Sequence, residues 1–312
     1  MQVETVSNLF QRLCALAELF DSNTKLSISY TRKTRKISHG DGVTRIFMQD
    51  ALSQFASLYL EHKGACTVFN CDAWRTMSAS EIFYVGRALA MVIGHTNSFL
   101  PVRLPLAFAS ALANREPTIE ELEYFLLKTN PEIYETITSY RDHNSLEECG
   151  YDTYQEALNQ CAHYDDRDAD TNTCIRFVSR VMADGFKSYA STSNLPTMNL
   201  PTLDYYLSGP FVIDRKQLKQ KIGDSGQIGT FIKGLIDKLP ERDLAILLRN
   251  WSGSSTVLDV NYGVSVSNDG GLMFRTCMTH LTIDPRLLGP DSSVNRADLI
   301  DMLTTPVTFV ND

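Results

Sequence analysis

The sequence predicts an α+β chain in two parts, a mostly helical one over residues 1–214 and a smaller α/β one over residues 215–312. Three observations carry that division. Apolar residues recur at helical spacing, often behind capping-box signals, through about residue 190. The stretch "STSNLPTMNLPTLDYYLSGPFVID" (191–214) then interrupts the pattern with three prolines and few helical signals. Beyond Trp251 the residues read as short strands.

The elements come in order. Val6, Leu9, Phe10, Leu13, Leu16, Ala17 and Phe20 form one face of a helix over 3–20. "LSISYTR" alternates like a strand, and "TRKTRKISHGDGVTR" reads as a polar, glycine-bearing loop before a helix over 44–61. Ser78 and Glu81 make a capping box ahead of "EIFYVGRALAMVIGHT". "LPLAFASALA" is a buried helix. Thr118 with Glu121 and Thr153 with Glu156 repeat the box, and Asn130-Pro131 pairs an N-cap with proline at the first helical position. "CIRFVSRVMADGFKSYA" is a long helix. Helices are expected at 214–222, 228–238, 241–250 and 294–303. Between the last two, strands flank "NDGG" as a hairpin turn. The tail "TTPVTFVND" is expected to be loosely held.

Composition narrows the function classes. A net charge of -8 argues against a nucleic-acid binder, which carries a basic footprint. No apolar run approaches the length of a membrane span, and the first residues lack the apolar core of a signal peptide. Seven scattered cysteines, an odd number, suggest free thiols in a reducing compartment, the cytoplasm with the nucleus as a second location.

Most chemical motifs fail on spacing. Cys66 with Cys71, and Cys161 with His163, do not make the close double pair of a zinc site. Asp166, Asp168 and Asp170 sit at alternate positions of a calcium loop, but Thr171 and Phe177 stand where glycine and glutamate are required, so a solvated acidic loop is expected. The glycine-rich stretches lack a phosphate-binding pattern. Arg32, Lys33, Arg35 and Lys36 read as a solvated basic loop. No metal and no cofactor are expected. Cys277 in "GLMFRTCMTHLTIDP" stands apart. From these residues alone an inert core thiol is the default reading; in the alternative, a reactive thiol, Arg275 favours the thiolate, and Thr276 and Thr279 offer hydroxyls to a developing anion. On a continuous strand, His280 would point away from Cys277.

Six segments in order resemble HECT-type ubiquitin ligases. "GDGVTRIFMQDAL" (40–52) resembles G-G-V-x-R-E-F-F. Residues 83–123 resemble F-x-G-R-x-L-x-x-A-L together with the family's next helix and its T-x-x-D-L. "NPEIYETI" (130–137) is similar to D-P-x-L-Y-x-S-L. "YYLSGPFVIDRKQLKQ" (205–220) resembles the run into the hinge between lobes. "LAILLRNWSGSSTVL" (244–258) is similar to L-L-x-F-x-T-G-S-S-x-x-P, and "RTCMTHLTIDP" (275–285) to H-T-C-F-N-x-L-x-L-P, which holds the family's catalytic cysteine.

The resemblance implies a bilobal fold, with an N-lobe over 1–214 and a C-lobe over 215–312 joined by a hinge at Ile213 and Asp214. It implies that Cys277 accepts ubiquitin from a conjugating enzyme as a thioester and passes it to a lysine of a protein substrate, supported by Thr276, Arg275 and Thr279. Phe309, fourth from the end, would place the C-lobe for lysine transfer. The chain also departs from the pattern. Arg275 replaces the usual histidine, Met278 and Thr279 the usual phenylalanine and asparagine, and Ile46 the glutamate of R-E-F-F. The docking region for the conjugating enzyme, about 140–172, is short. These departures motivate an alternative, a catalytically weak module that binds ubiquitin or the conjugating enzyme. An unrelated thiol hydrolase is the remote one.

Overall fold

The computed structural model describes residues 9–22, 26, 29–31, 37–39, 41–63, 66–96, 99–135, 169–189, 197–209, 212–223, 226–252, 257–258, 260–266, 271–275, 279–288 and 296–305. Within them the chain is mixed α+β and mostly helical, with small sheets. Most of its buried apolar residues, among those described, fall in two clusters. One runs from Leu9 to Leu207 and the other from Ile213 to Leu303.

The first cluster begins with α1 (Leu9–Leu19), which buries Leu9, Phe10, Leu13 and Ala17. Strands β1 (Ser29–Thr31) and β2 (Ile37–His39) pair antiparallel, and α2 (Asp41–Tyr59) comes next. The expected loop over 31–45 therefore contains a strand and the first turn of a helix. Its polar residues concealed a hairpin whose ladder is satisfied by backbone groups rather than by apolar alternation. A second hairpin, β3 (Leu60–Lys63) with β4 (Cys66–Phe69), carries no signal that the sequence pattern revealed. It leads into the short α3 (Cys71–Trp74), where the Asn70 side chain accepts a hydrogen bond from the Ala73 amide. Trp74 is buried against Phe55, Tyr59 and Phe69, and its indole N–H donates to the Tyr59 carbonyl at 2.8 Å.

Helix α4 (Ala79–Thr96) starts at the expected box: the Glu81 carboxylate accepts from the Ser78 amide, and the Ser78 hydroxyl accepts from the Glu81 amide. Helix α5 (Leu106–Ala113) is buried almost throughout and ends on Asn114 in the left-handed conformation. The box of α6 (Ile119–Thr129) is complete, and residues 131–135 form a further helical turn in which Asn130 accepts from the Ile133 amide. Helix α7 (Ala169–Tyr189) begins earlier than the sequence pattern suggests, so residues 169–172 of the expected acidic loop are helical. The box at Thr153 and Glu156 lies outside the described residues.

Helices α4 and α7 form the centre of this cluster. A Cβ on Gly86 would lie 1.9 Å from the Met182 carbonyl oxygen, and one on Gly185 would lie 1.9 Å from that of Phe83. Two missing side chains thus let two backbones touch. Arg87, next to Gly86, donates to the Ala17 and Phe20 carbonyls at the end of α1 and lies over the Tyr189 ring. Helix α8 (Leu200–Ser208) occupies a stretch whose prolines read as breaks. Asn199 caps it by accepting from the Thr202 amide, and Pro201 falls in the first turn, where its missing N–H costs nothing.

The second cluster packs α9 (Arg215–Lys221), α10 (Gly226–Ile236), α11 (Glu241–Ser252) and α12 (Arg296–Thr304) with a three-stranded sheet. Its strands are β5 (Gly263–Val266), β6 (Leu272–Arg275) and β7 (His280–Ile283), in the order β5-β7-β6. The expected hairpin through "NDGG" is not formed, because β5 and β6 are not neighbours. β5 pairs parallel with β7, and β6 pairs antiparallel with β7. Putting β7 in the middle lets Leu281 and Ile283, both fully buried, face the core beside Val264 and Phe274.

Candidate functional site

The β6–β7 hairpin determines where the candidate residues lie. Its register pairs Arg275 with His280, so residues 276–279 are the connection between the strands. Cys277, Thr276 and Met278 belong to that connection and lie outside the described residues, as does Phe309. The described residues form the frame that holds the connection.

Cross-strand partners share a face, and neighbours along a strand alternate. Leu281 and Ile283 point into the core, so His280 and Thr282 point outward. The same outer face carries Arg275 and Met273 from β6 and Ser265 from β5. His280 Nε2 is 2.7 Å from Ser265 Oγ, which is 3.4 Å from Thr282 Oγ1. The imidazole lies over Gly263, where an added Cβ would come within 2.2 Å of Nδ1. A fixed imidazole therefore stands opposite an exposed guanidinium at the root of the connection that contains Cys277.

Thr279 completes the frame. It is buried and has φ 50, in the left-handed region that β-branched residues avoid. Its carbonyl accepts from the Gly263 amide at 2.9 Å, which holds the strained residue against β5. Strand alternation therefore does not separate His280 from Cys277, because the chain is not extended through Thr279. At the other end of the hairpin, Asp284 is buried and accepts from the Arg286 amide and guanidinium, and its own amide donates to the Gly271 carbonyl. These bonds anchor the "TIDP" segment.

Sequence reasoning misses His280 and Ser265 as partners. The two residues lie on strands that look consecutive to different hairpins, and only the parallel β5–β7 register brings them together. A usable signal is Gly263, a glycine inside a strand pattern, which marks a close approach by another group.

The expected hinge residues sit firmly in the second cluster. Ile213 is buried, and its amide donates to the Glu241 carboxylate. Asp214 caps α9 by accepting from the Gln217 amide at 2.9 Å. On the other side, Gly209 has φ 75, lies against the Phe99 ring, and gives its carbonyl to Arg103. Arg103 also pairs with Asp204, whose carboxyl burial pushes up to about 6 against the opposing pull of the guanidinium. Between these anchored ends Val212 is exposed, and residues 210–211 lie outside the described residues.

Polar links between described residues join the clusters. Arg45 Nε donates to the Ser252 carbonyl at 2.7 Å, and Arg249 pairs with Asp50. Both link α2 to α11. Among the described residues, no group of three or more His, Cys, Asp or Glu side chains gathers as a metal site, and no helix is long and apolar enough to cross a membrane.

No family model matches the chain. It is 35% identical over 322 aligned positions to an uncharacterized protein of Acanthamoeba polyphaga mimivirus, a match that covers 99% of this chain and 33% of the viral protein. The chain thus spans about a third of the length of that relative.

Proposed function

We propose that the chain is a divergent HECT-type ubiquitin-protein transferase with Cys277 as its nucleophile. The observation that carries the reading is the frame around residues 276–279, where Arg275 and His280 face each other at the base of the connection and His280 is held by Ser265. A guanidinium favours a thiolate, and an imidazole can take up and return a proton near neutral pH. Arginine cannot do the latter. In this reading His280 supplies across the hairpin what the family places two residues before its cysteine.

The chemistry is two acyl transfers. Cys277 thiolate attacks the thioester carbonyl of the ubiquitin-charged conjugating enzyme, the tetrahedral intermediate collapses, and the enzyme's thiolate leaves. A substrate lysine amine then attacks the new thioester, loses its proton to a base, and expels Cys277 as thiolate. Splitting the transfer this way is covalent catalysis. Two further observations support the reading. The apolar core divides between Leu207 and Ile213, within the segment that resembles the run between lobes. Two other resembling segments, 40–52 and 244–258, touch through Arg45 with Ser252 and Asp50 with Arg249. A swing of the smaller part would have its pivot before the anchored Ile213. The ubiquitin, conjugating-enzyme and substrate partners belong to this proposal, as does the division into lobes.

The test incubates the chain with activating enzyme, a panel of conjugating enzymes and ubiquitin, and resolves the products on a non-reducing gel. A thiol-sensitive adduct that is lost in Cys277→Ala supports the proposal. Binding to ubiquitin or a conjugating enzyme with no adduct across the panel favours the second reading, a binding module, which the exposed Arg275 in place of histidine motivates. In the same assay Phe309→Ala should slow transfer to lysine while leaving the thioester adduct intact. Lysine transfer at the wild-type rate overturns that role.

A further inference from the structure

Cys71 and Cys174 are remote in sequence and adjacent in space. Cys71 opens α3 and Cys174 lies in the second turn of α7, against which α3 packs. Cys174 Sγ lies 3.9 Å from the Cys71 carbonyl oxygen, and Cys71 Sγ lies 4.0 Å from that of Thr171. Each thiol thus donates to a backbone carbonyl of the other's helix. Both are free and half-buried, so small oxidants reach them. Cys14 is different. It packs against the first apolar cluster, and burial alone pushes its thiol up to about 12.

We propose that Cys71 and Cys174 form a reversible intramolecular disulfide on exposure to a hydroperoxide, linking α3 to α7. The geometry favours this over two independent oxidations, because each thiol donates to a carbonyl of the other's helix and α3 packs on α7, which holds the two side chains together. Burial and, after it, the neighbouring thiol push the Cys71 thiol up to about 12 and disfavour its thiolate, so Cys71 takes the second, resolving step. The Cys174 thiolate attacks one peroxide oxygen, the O–O bond breaks, and the released oxygen leaves as water once protonated. Cys174 is then a sulfenic acid. The Cys71 sulfur attacks the Cys174 sulfur, the S–O bond breaks, and a second water leaves with the Cys71 proton. The two thiols are oxidised by two electrons, and one hydrogen peroxide is reduced to two waters. The closed loop holds α4, α5 and α6, so the bond constrains much of the unfolded first part of the chain.

This disulfide is independent of the ubiquitin reading and is tested on the wild-type chain. The reduced protein is treated with stoichiometric hydrogen peroxide, alkylated, digested without reductant and analysed by mass spectrometry. The expected product is one cross-linked peptide pair joining Cys71 to Cys174, absent after dithiothreitol. The oxidised protein should also unfold several degrees higher than the reduced one, a shift missing from Cys174→Ser. Recovery of Cys71 and Cys174 as alkylated thiols, as separate sulfinic acids, or paired with other cysteines overturns the proposal. Because the peptide map is made on the unmodified sequence, a variant that fails to fold does not obscure the result.

Discussion

Replacing Asp50 with alanine removes the carboxylate that faces Arg249 across the two apolar clusters. The side chains of the pair are 12% and 15% exposed, so the pair is largely withdrawn from water. Burial already pulls the Arg249 guanidinium below its usual range, and its Nε finds no hydrogen-bond acceptor among the described residues. Truncating one member of a buried pair costs about 3–5 kcal/mol, because the other charge is left desolvated. The remaining exposure lets some water in, so the expected loss is about 2–4 kcal/mol. Arginine stays charged over any working pH, so the loss should be flat between neutral and mildly acidic conditions.

The assay is urea unfolding monitored by tryptophan fluorescence. The sequence has two tryptophans, one in each cluster: Trp74 in the first and Trp251 in the second. Each can report alone when the other is changed to phenylalanine. Asp50→Ala should shift the transitions seen by both. The double variant Asp50→Ala with Arg249→Met should recover most of the loss, since neither charge is then buried alone. A loss below about 1 kcal/mol, or a double variant as unstable as the sum of the singles, would falsify the view that this pair is desolvated and joins the clusters.

Three further outcomes are expected. Gly86→Ala should destabilise by about 3 kcal/mol or more, because its Cβ meets the Met182 backbone at 1.9 Å and neither helix can yield cheaply; urea midpoints measure it. Glu121 accepts from both Arg115 nitrogens and from the Thr118 and Leu200 amides, and Arg115 chiefly holds its carboxyl down at about 2. A depressed carboxylate stabilises the fold above its unfolded pKa, so about 3 kcal/mol should be lost as pH falls from about 4.5 to 2, and Glu121→Gln should flatten that limb of the stability profile. Gly263→Ala should push the His280 ring off Ser265, visible as a changed imidazole resonance, and slow formation of any Cys277 adduct with only a modest stability loss.

The helix starts were legible because capping is local. Ser78 with Glu81 and Thr118 with Glu121 close within one turn, so three residues of spacing suffice to see them. Asn199 is equally local, but Pro201 beside it reads as a break unless its place in the first turn is recognised. Gly86 and Arg87 stood out as a motif, while their work could not be read from it. One makes room for Met182 and the other closes the end of α1, and both partners are distant in sequence. The candidate site divides the same way. Arg275 and Thr279 could be named from their place beside Cys277. The strain at Thr279, the Ser265 partner of His280 and the Cys71–Cys174 contact depend on strand order and helix packing that no single stretch of residues encodes.

The order β5-β7-β6 also dictates an order of assembly. The β6–β7 hairpin joins neighbours in sequence and can close in about 1–10 μs. β5 precedes both yet pairs parallel with the later strand, so it has no partner until β7 has been synthesised and folded back. Ser265 reaches His280 only at that step. A nascent chain that has emerged only as far as Arg275 therefore carries the residues before the cysteine but not the face that frames it, and any thiol chemistry at this corner waits for the sheet to be finished.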